Sequence, residues 1–506
     1  MTSTVIINGK PSTISSNTLP RRASILTDVF ARAALSDEFK RKKVENMSII
    51  ALLYFEDANP NVDKLRNTIG KKMLQYDRLS SLYTLIDNKV HIKPISHEDI
   101  DLNYHIQSVD GNGTFDEDDV NELITTAQYE TVDTSKPLWK IKIISKLKDG
   151  RSLIFFKLHH ALGDGSYMLN VLMSTLVDSP QEEDGIQNRH PQKVQTSSLR
   201  WSHRLTLFLQ GCYDGLIGWL IEPNDEENSL KTLLQTTGKS SKTFHQTKAF
   251  DLDEIKKAKN KIEDVTVNDI LSAALSIGIR RYFEKTNDPI IANIDKGTQL
   301  HMMAAVSTRG IDVLSDDERK RLGNAFSSVR IPMILSNLDP LTVLWKSKAM
   351  MDYLKLSPKI YLMWKLGSRL LMMMPEKELA DATVGSVLKP TMIMSNVIGP
   401  PCKCTIGGYV LDDINFILTS QFNLYIGIIS YANKLHVSFA TNKEANINCS
   451  LLKECIETGI ESLQETIINH PDEIIKKPDM TPLSAKILEY CFLPIIASAI
   501  YMLWQR

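Results

Sequence analysis

The residues with the clearest chemical potential form one short run, Leu158-His159-His160-Ala161-Leu162-Gly163-Asp164-Gly165. Two adjacent imidazoles leave an apolar stretch and enter a turn that holds glycines and an acid, before a helical pattern begins. Successive strand side chains face opposite ways, so only one of the two rings can enter a given cleft. An imidazole with an ordinary pKa of ~6.5 can take and return a proton near neutrality. A strand end followed by a tight turn presents such a ring rigidly. His160 is therefore the expected general base. Asp164 is expected to hold the turn or pair with an arginine, and Gly165 to allow close chain approach. A His-His pair by itself is commonly structural; Asp-Gly at this spacing, after an apolar strand, favours catalysis. No G-x-S-x-G elbow is present, so a serine nucleophile is not expected.

The elements that must position this run can be read around it. Leu138–Ser145 alternates and Ser152–Leu158 is nearly all apolar, with the turn pair Asp149-Gly150 between them, as in paired strands. Val62–Gln75, Asp119–Gln128 and Met168–Val177 have helical periods. Thr4–Ile7 is a short apolar run and Ser12–Leu19 reads as loop. Asp178–Ser198 is polar and Pro-containing, a linker or long crossover, and Arg200–Ile221 is amphipathic to strongly apolar. Helical Val267–Phe283, strand-like Gln299–Val306 and a helix over Thr342–Met374 follow. Ile393–Val397, Asn415–Thr419, Leu424–Tyr431 and Leu435–Ala440 read as strands, and Leu451–Asn469 as a closing helix. The expected division is an N-terminal half over 1–177, a crossover over 178–241, a C-terminal half over 242–470, and a spacer with an apolar tail over 471–506.

Composition narrows the class. The 506 residues are 43% hydrophobic and 24% charged, with 59 Lys+Arg against 60 Asp+Glu. A single core rarely grows past ~250–300 residues, so two domains are expected. A net charge of -1 gives no bulk attraction to nucleic acid. The six cysteines form neither a zinc-site spacing nor a disulfide framework, which suits a reducing compartment. Met1–Lys10 lacks the apolar run of a secretory leader, so the chain is expected to stay inside the cell. Tyr490–Trp504 carries no charge, yet as a helix it would reach only ~22 Å, short of a ~30 Å hydrocarbon layer. Its aromatic residues near both ends suit an anchor at a membrane or lipid-droplet surface, the alternative being a final helix packed on the globular body.

HHALGDG resembles the HHxxxDG motif of acyltransferases with the chloramphenicol-acetyltransferase-like fold. Further segments resemble one branch, the bifunctional wax ester synthase/acyl-CoA:diacylglycerol acyltransferases. Pro137-Leu138-Trp139 is similar to that family's PLW motif, Asp101-Leu102-Asn103-Tyr104-His105 to its DLxxH segment, and Asn268-Asp269 to its ND motif. Val306-Ser307-Thr308-Arg309 resembles its PVSxR strand end, Gly323-Asn324 a GN element, and Ser395-Asn396-Val397-Ile398-Gly399-Pro400 its SNVxGP motif. Ile398 and Ala305 stand where many relatives carry proline. The matches run in family order from about Met47 to Leu463.

The resemblance implies an α/β fold of two chloramphenicol-acetyltransferase-like domains, mixed sheets flanked by helices, with a channel between them meeting at His160. It also implies transfer of a long-chain acyl group from acyl-CoA, the co-substrate, to a fatty alcohol or diacylglycerol. His160 would be the base, within a catalytic set of His159, His160, Asp164 and Gly165. No other cofactor and no metal is expected. Asn268 and Asn396 are candidates for stabilising the oxyanion, and Arg309 for pairing with Asp164. Trp139, with Pro137 and Leu138, is expected in packing or tunnel lining; Asn268-Asp269 reads equally as a helix N-cap before an apolar helix, and Ser395, Gly399 and Pro400 complete the motif set. The expected location is the endoplasmic reticulum membrane or a lipid droplet. The alternatives are a condensation-type enzyme with a non-lipid acceptor and a non-catalytic lipid-binding scaffold. Two further patterns are weighed. Ser108–Asp119 resembles a calcium loop but departs at its first and last ligand positions, and reads as an acidic surface loop. The Met-rich stretch Trp345–Met374 and the run Leu216–Ile221 suit helix core, an acyl tunnel or a membrane-facing surface.

Overall fold

The computed structural model describes residues 3–7, 10–14, 20–42, 46–130, 132–165, 168, 176–178, 201–218, 222–231, 241–308, 323–419 and 422–478. Arg309, the tail over Tyr490–Trp504 and most of Met168–Val177 lie outside them. In chain order the strands are β1 (Ser3–Ile7), β2 (Lys10–Ile14), β3 (Arg21–Arg22), β4 (Ser48–Phe55), β5 (Ser81–Ile86), β6 (Lys89–Pro94), β7 (Ile106–Phe115), β8 (Trp139–Leu147) and β9 (Ser152–His159). They continue with β10 (Lys242–Gln246), β11 (Phe250–Asp251), β12 (His301–Ser307), β13 (Phe326–Pro332), β14 (Met392–Ile398), β15 (Thr405–Ile406), β16 (Tyr409–Thr419), β17 (Leu424–Tyr431) and β18 (Lys434–Asn442).

Two mixed sheets dominate. The first runs β15-β16-β4-β9-β8-β7; the second runs β10-β18-β17-β14-β12-β13, with β11 also on β18. Strand β9 is buried at every position, and β4 and β17 at all but one each. Such near-continuous apolar runs are expected of strands covered on both faces. β9 is central, with β4 on one side and β8 on the other, both antiparallel. β16 lies far along the sequence yet pairs with β4, Thr419 opposite Ser48 and Leu411 opposite Phe55. The chain thus leaves the second sheet after β14, adds β15 and β16 to the first, and returns as β17. The larger hydrophobic core follows this exchange, drawing Ile49, Phe156 and Phe416 from the first sheet and Val397, Tyr425 and Ile429 from the second. On the outer face of the second sheet, Val267–Lys285 crosses Cys449–Ile468 at Gly278 and Gly459. A Cβ at Gly459 would stand 2.5 Å from the Ala274 carbonyl oxygen, so only glycine lets the two backbones touch.

The β8–β9 hairpin and the helices at Val62–Met73, Glu117–Tyr129 and Cys449–Ile468 agree with the sequence reading. Three segments differ. The expected loop over Ser12–Leu19 begins as the end of β2, paired with β1. The acidic segment over Ser108–Asp119 is mostly β7, paired in parallel with β8 and irregular between Asp110 and Phe115, where Asn112 and Gly113 take positive φ. The single helix over Thr342–Met374 breaks. Pro340–Leu356 ends at Ser357, because Pro358 supplies no N–H, and Lys359–Leu362, a π-helical turn and Ser368–Met373 follow.

Candidate active site

The second of the paired histidines owes its setting to the end of β9. His159 N–H donates to the Leu138 carbonyl (3.0 Å), and His160 N–H donates to the Met47 carbonyl (2.7 Å), so the chain is pinned on both sides. The His159 side chain turns back into the loop, where its Nδ1 accepts the Ala161 N–H (3.2 Å). His160 is 8% exposed and lies on the sheet face shared with Leu158, toward the second sheet. Phe30 stacks on its ring at 4.1 Å and 18°, and Phe326 stands tilted at 5.6 Å.

Asn324 fixes the ring's tautomer. Its Nδ2 donates to the His160 carbonyl (2.8 Å), which directs its Oδ1 at His160 Nδ1, 3.1 Å away. Nδ1 is then the protonated nitrogen, and Nε2 keeps its lone pair. Burial, the largest influence, pushes the imidazole below the ordinary histidine value; the Asp164 charge and the Asn324 bond oppose it only in part. The ring is therefore neutral at pH 7 and able to accept a proton.

Asp164 clasps the loop from the other half of the chain. Its N–H donates to the Gly323 carbonyl (3.0 Å), and its Oδ2 accepts the Ala325 N–H (3.0 Å). Arg78, 5% exposed, sits beneath the turn and donates to Thr27 Oγ1 and the Ala161 carbonyl. Phe30 and Thr27 belong to the helix Ile25–Leu35, which is held by the buried pair Arg32–Asp28 (2.6 Å); Asp28 also accepts the Val90 N–H (2.9 Å).

Beside the motif lies a narrow apolar pocket. Ile49, Ala51, Leu53, Leu158, Ile414 and Phe416 line it from the first sheet, Val397 and Ile429 from the second, and Gly165 and Met168 from beyond the turn. Its walls are apolar and offer no charge to a polar ligand. Among the described residues, no cluster of His, Cys, Asp and Glu could hold a metal ion.

Residues 47–271 match the wax ester synthase/diacylglycerol acyltransferase catalytic domain, and residues 322–464 match the WS/DGAT C-terminal domain. The chain belongs to the wax ester synthase/diacylglycerol acyltransferase family. It is 27% identical over 377 residues to wax ester synthase/diacylglycerol acyltransferase 5 of Arabidopsis thaliana, covering 67% of this chain and 72% of that one. Protein 10 of the same plant series is 23% identical over 481 residues, 86% of this chain and 96% of the relative. Among solved structures, the wax ester synthase/diacylglycerol acyltransferase from Marinobacter aquaeolei VT8 aligns with a TM-score of 0.52 at 14% identity, over 83% of this chain and 95% of that one. The first condensation domain of the calcium-dependent antibiotic synthetase aligns with a TM-score of 0.57 at 12% identity, over 89% and 97%. These two structures share the fold of two chloramphenicol-acetyltransferase-like halves.

Against this WS/DGAT background the other motif residues fall into place. Trp139, 2% exposed, donates from Nε1 to the Leu79 carbonyl (2.8 Å) and stacks on His105 at 4.2 Å. The PLW and DLxxH segments therefore brace one another, and Leu138 between Pro137 and Trp139 holds His159 through its carbonyl. Asp269 closes a capping box with Thr266 and lies 3.7 Å from Lys355, a helix-start role. Ser395 hydrogen-bonds the buried Tyr425 phenol, whose pKa burial raises. A Cβ on Gly399 would meet the Ser430 carbonyl oxygen at 2.3 Å, while Pro400 accepts the Ala432 N–H. The two oxyanion candidates bond one another, Asn396 Nδ2 donating to Asn268 Oδ1 at 2.5 Å, whereas Asn324, Phe30 and Phe326 contact the His160 ring. Gly165 also differs from expectation. A Cβ there would make ordinary contact with Val397 at 3.8 Å, whereas at Gly323 it would meet Arg78 at 2.4 Å and the Leu162 carbonyl oxygen at 2.6 Å. The close approach that the motif suggested at Gly165 belongs to Gly323. Sequence reasoning noticed Gly323-Asn324 as a motif without a role and had no signal for Phe30, Thr27 or Arg78.

Proposed function

We propose that this WS/DGAT chain transfers a long-chain acyl group from acyl-CoA to a fatty alcohol or diacylglycerol, with His160 Nε2 as the base. The acceptor hydroxyl gives its proton to Nε2 as its oxygen attacks the thioester carbonyl. The tetrahedral intermediate then expels CoA thiolate by breaking the C–S bond, and the imidazolium returns the proton to that sulfur. Acyl-CoA is the co-substrate and no bound cofactor takes part. Asn324 holds the ring, Asp164 holds the segment ahead of β13 that carries Asn324, and the apolar walls beside Gly165 favour hydrocarbon. The reaction is placed at an endoplasmic reticulum or lipid-droplet surface, a placement supported by the apolar character of both substrates and of Tyr490–Trp504. The observation that carries the reading is the geometry of His160, its Nδ1 committed to Asn324 and its Nε2 left to accept.

Purified protein given palmitoyl-CoA and either hexadecanol or dioleoylglycerol should release CoA and form the ester. General acid–base help is worth ~10²–10⁴-fold, and His160→Ala should lose turnover on that scale. Undiminished turnover by His160→Ala would remove the mechanism.

A further inference from the structure

Fourteen large hydrophobic residues are exposed among the described residues, and nine of them fall in two short segments. Leu205, Phe208, Leu209, Leu216 and Ile217 lie over residues 205–217; Tyr361, Leu366, Leu370 and Met373 lie over 361–373, the last 80% exposed. The segments are neighbours in space. Gly211 sits against Ser357 and Pro358, and Gly215 against Lys359 and Leu362, so closely that a Cβ on either would collide. One face of Trp201–Tyr213 and the turn after it is thereby spent on protein, and the Leu205, Leu209 and Leu216 face is left outward. Leu366, Leu370 and Met373 repeat at intervals of four and three, a second outward stripe. Monomeric proteins rarely leave so many aliphatic side chains together in water.

Charge at the outward stripes has one sign. Asp214 is turned inward, bonded to Gln210 Nε2 and the Tyr353 hydroxyl, while the charges at the outward stripe are Lys365 and Arg369. The patch is also continuous with the catalytic ring. Leu371, Met372 and Met374 pack with Phe30 on the small core of Val29, Ala33, Phe39 and Met47. Phe30 stacks on His160, and Met47 supplies the carbonyl that receives the His160 N–H.

We propose that the 205–217 and 361–373 segments together form the surface that seats this protein on an anionic lipid layer, and that lipid acceptor reaches His160 from that layer past Leu371, Met374 and Phe30. The second half of this statement rests on the acyltransferase reading; the first does not. Aliphatic stripes flanked by cations are the composition that buries into the headgroup–acyl boundary.

The test uses the full chain and the variants Phe208→Asp/Ile217→Asp and Leu370→Asp/Met373→Asp. Each is floated with phosphatidylcholine vesicles containing phosphatidylserine, then assayed with palmitoyl-CoA and either vesicle-borne dioleoylglycerol or dissolved hexanol. Vesicle binding and diacylglycerol turnover should fall at least about tenfold, the equivalent of ~1.4 kcal/mol, while hexanol turnover stays within about twofold of native. Flotation unchanged in both variants overturns the proposal and places attachment elsewhere, including in the 479–506 tail. A change from dimer to monomer in sedimentation with unaltered flotation also overturns it, making the patch a contact between copies. If the native chain turns over neither acceptor but loses flotation in the variants, the surface stands and the acyltransferase reading falls. Should the double variants lose hexanol turnover as well, Met373→Glu alone decides by the same flotation.

Discussion

At neutral pH the His160 imidazole carries no charge, because burial disfavours its protonated form more than Asp164 and Asn324 restore it. A base must be unprotonated to act, so kcat/KM should rise with pH along a limb centred below the ordinary histidine value of ~6.5. Asn324 makes the position of this limb testable. Its bond favours the charged ring, so Asn324→Ala should move the limb to lower pH. Asn324→Asp places a carboxylate at Nδ1 and should move it to higher pH. With the ring no longer held, Asn324→Ala should also lose roughly 10–100-fold in kcat, on the scale of positioning effects. A residue that merely packed would lower kcat and leave the limb where it was. His160 was legible from residue type and spacing alone. Asn324 was not, because it stands 164 residues away and only the fold brings it to the ring.

Between elements, close approach separates two glycines that the sequence presents alike. Gly323 lies under Arg78 and Leu162, in the segment that carries Asn324 and is clasped by Asp164. Gly323→Ala must push that segment away, and should cost about 1–3 kcal/mol in thermal or denaturant unfolding and most of the activity. Gly165→Ala adds a methyl at ordinary contact distance from Val397, so it should melt like the native chain. Equal destabilisation by both would contradict this assignment. Periodicity and apolar runs disclosed the β8–β9 hairpin and the long helices because those signals are local. Two local signals were passed over: the apolar run Ser48–Phe55, the partner of β9, which is followed by the turn cluster Asp57-Ala58-Asn59-Pro60, and Pro358, through which the helix over Thr342–Met374 was read on apolar content. The DLxxH and PLW segments were legible as separate motifs, and their stacking of His105 on Trp139 was not.

For the molecule as a whole, the exchange of β15 and β16 into the first sheet joins the two halves by a strand ladder as well as by packing. A second tie runs along β10 at the edge of the other sheet. Lys242 N–H donates to Thr125 Oγ1 (3.0 Å), and Phe244 N–H donates to Asn121 Oδ1 (2.6 Å), binding β10 to the helix Glu117–Tyr129. Within this junction the Lys242 side chain is buried, its Nζ 3.4 Å from the Phe422 carbonyl oxygen and 3.6 Å from the centre of the Phe422 ring. Burial lowers its pKa to about 7, with the Glu444 charge opposing. An unfolded lysine titrates near ~10.4, so between these values the unfolded chain binds the extra proton and this group's contribution to stability rises with pH. Near pH 7 the folded lysine is therefore only about half protonated, and burying it costs stability; the Phe422 carbonyl already has a second donor in Asn442 Nδ2 (3.0 Å). Lys242→Met keeps the volume and removes the charge. It should melt higher than the native chain at pH 7, by ~1–2 kcal/mol on the scale of single stabilising substitutions. That advantage should shrink steadily as pH climbs toward 10, since the native lysine then folds uncharged from a chain that is itself losing the proton. Melting curves of both proteins across that range decide the point: an advantage that does not change with pH would mean that packing, and not the buried charge, sets the stability of this junction.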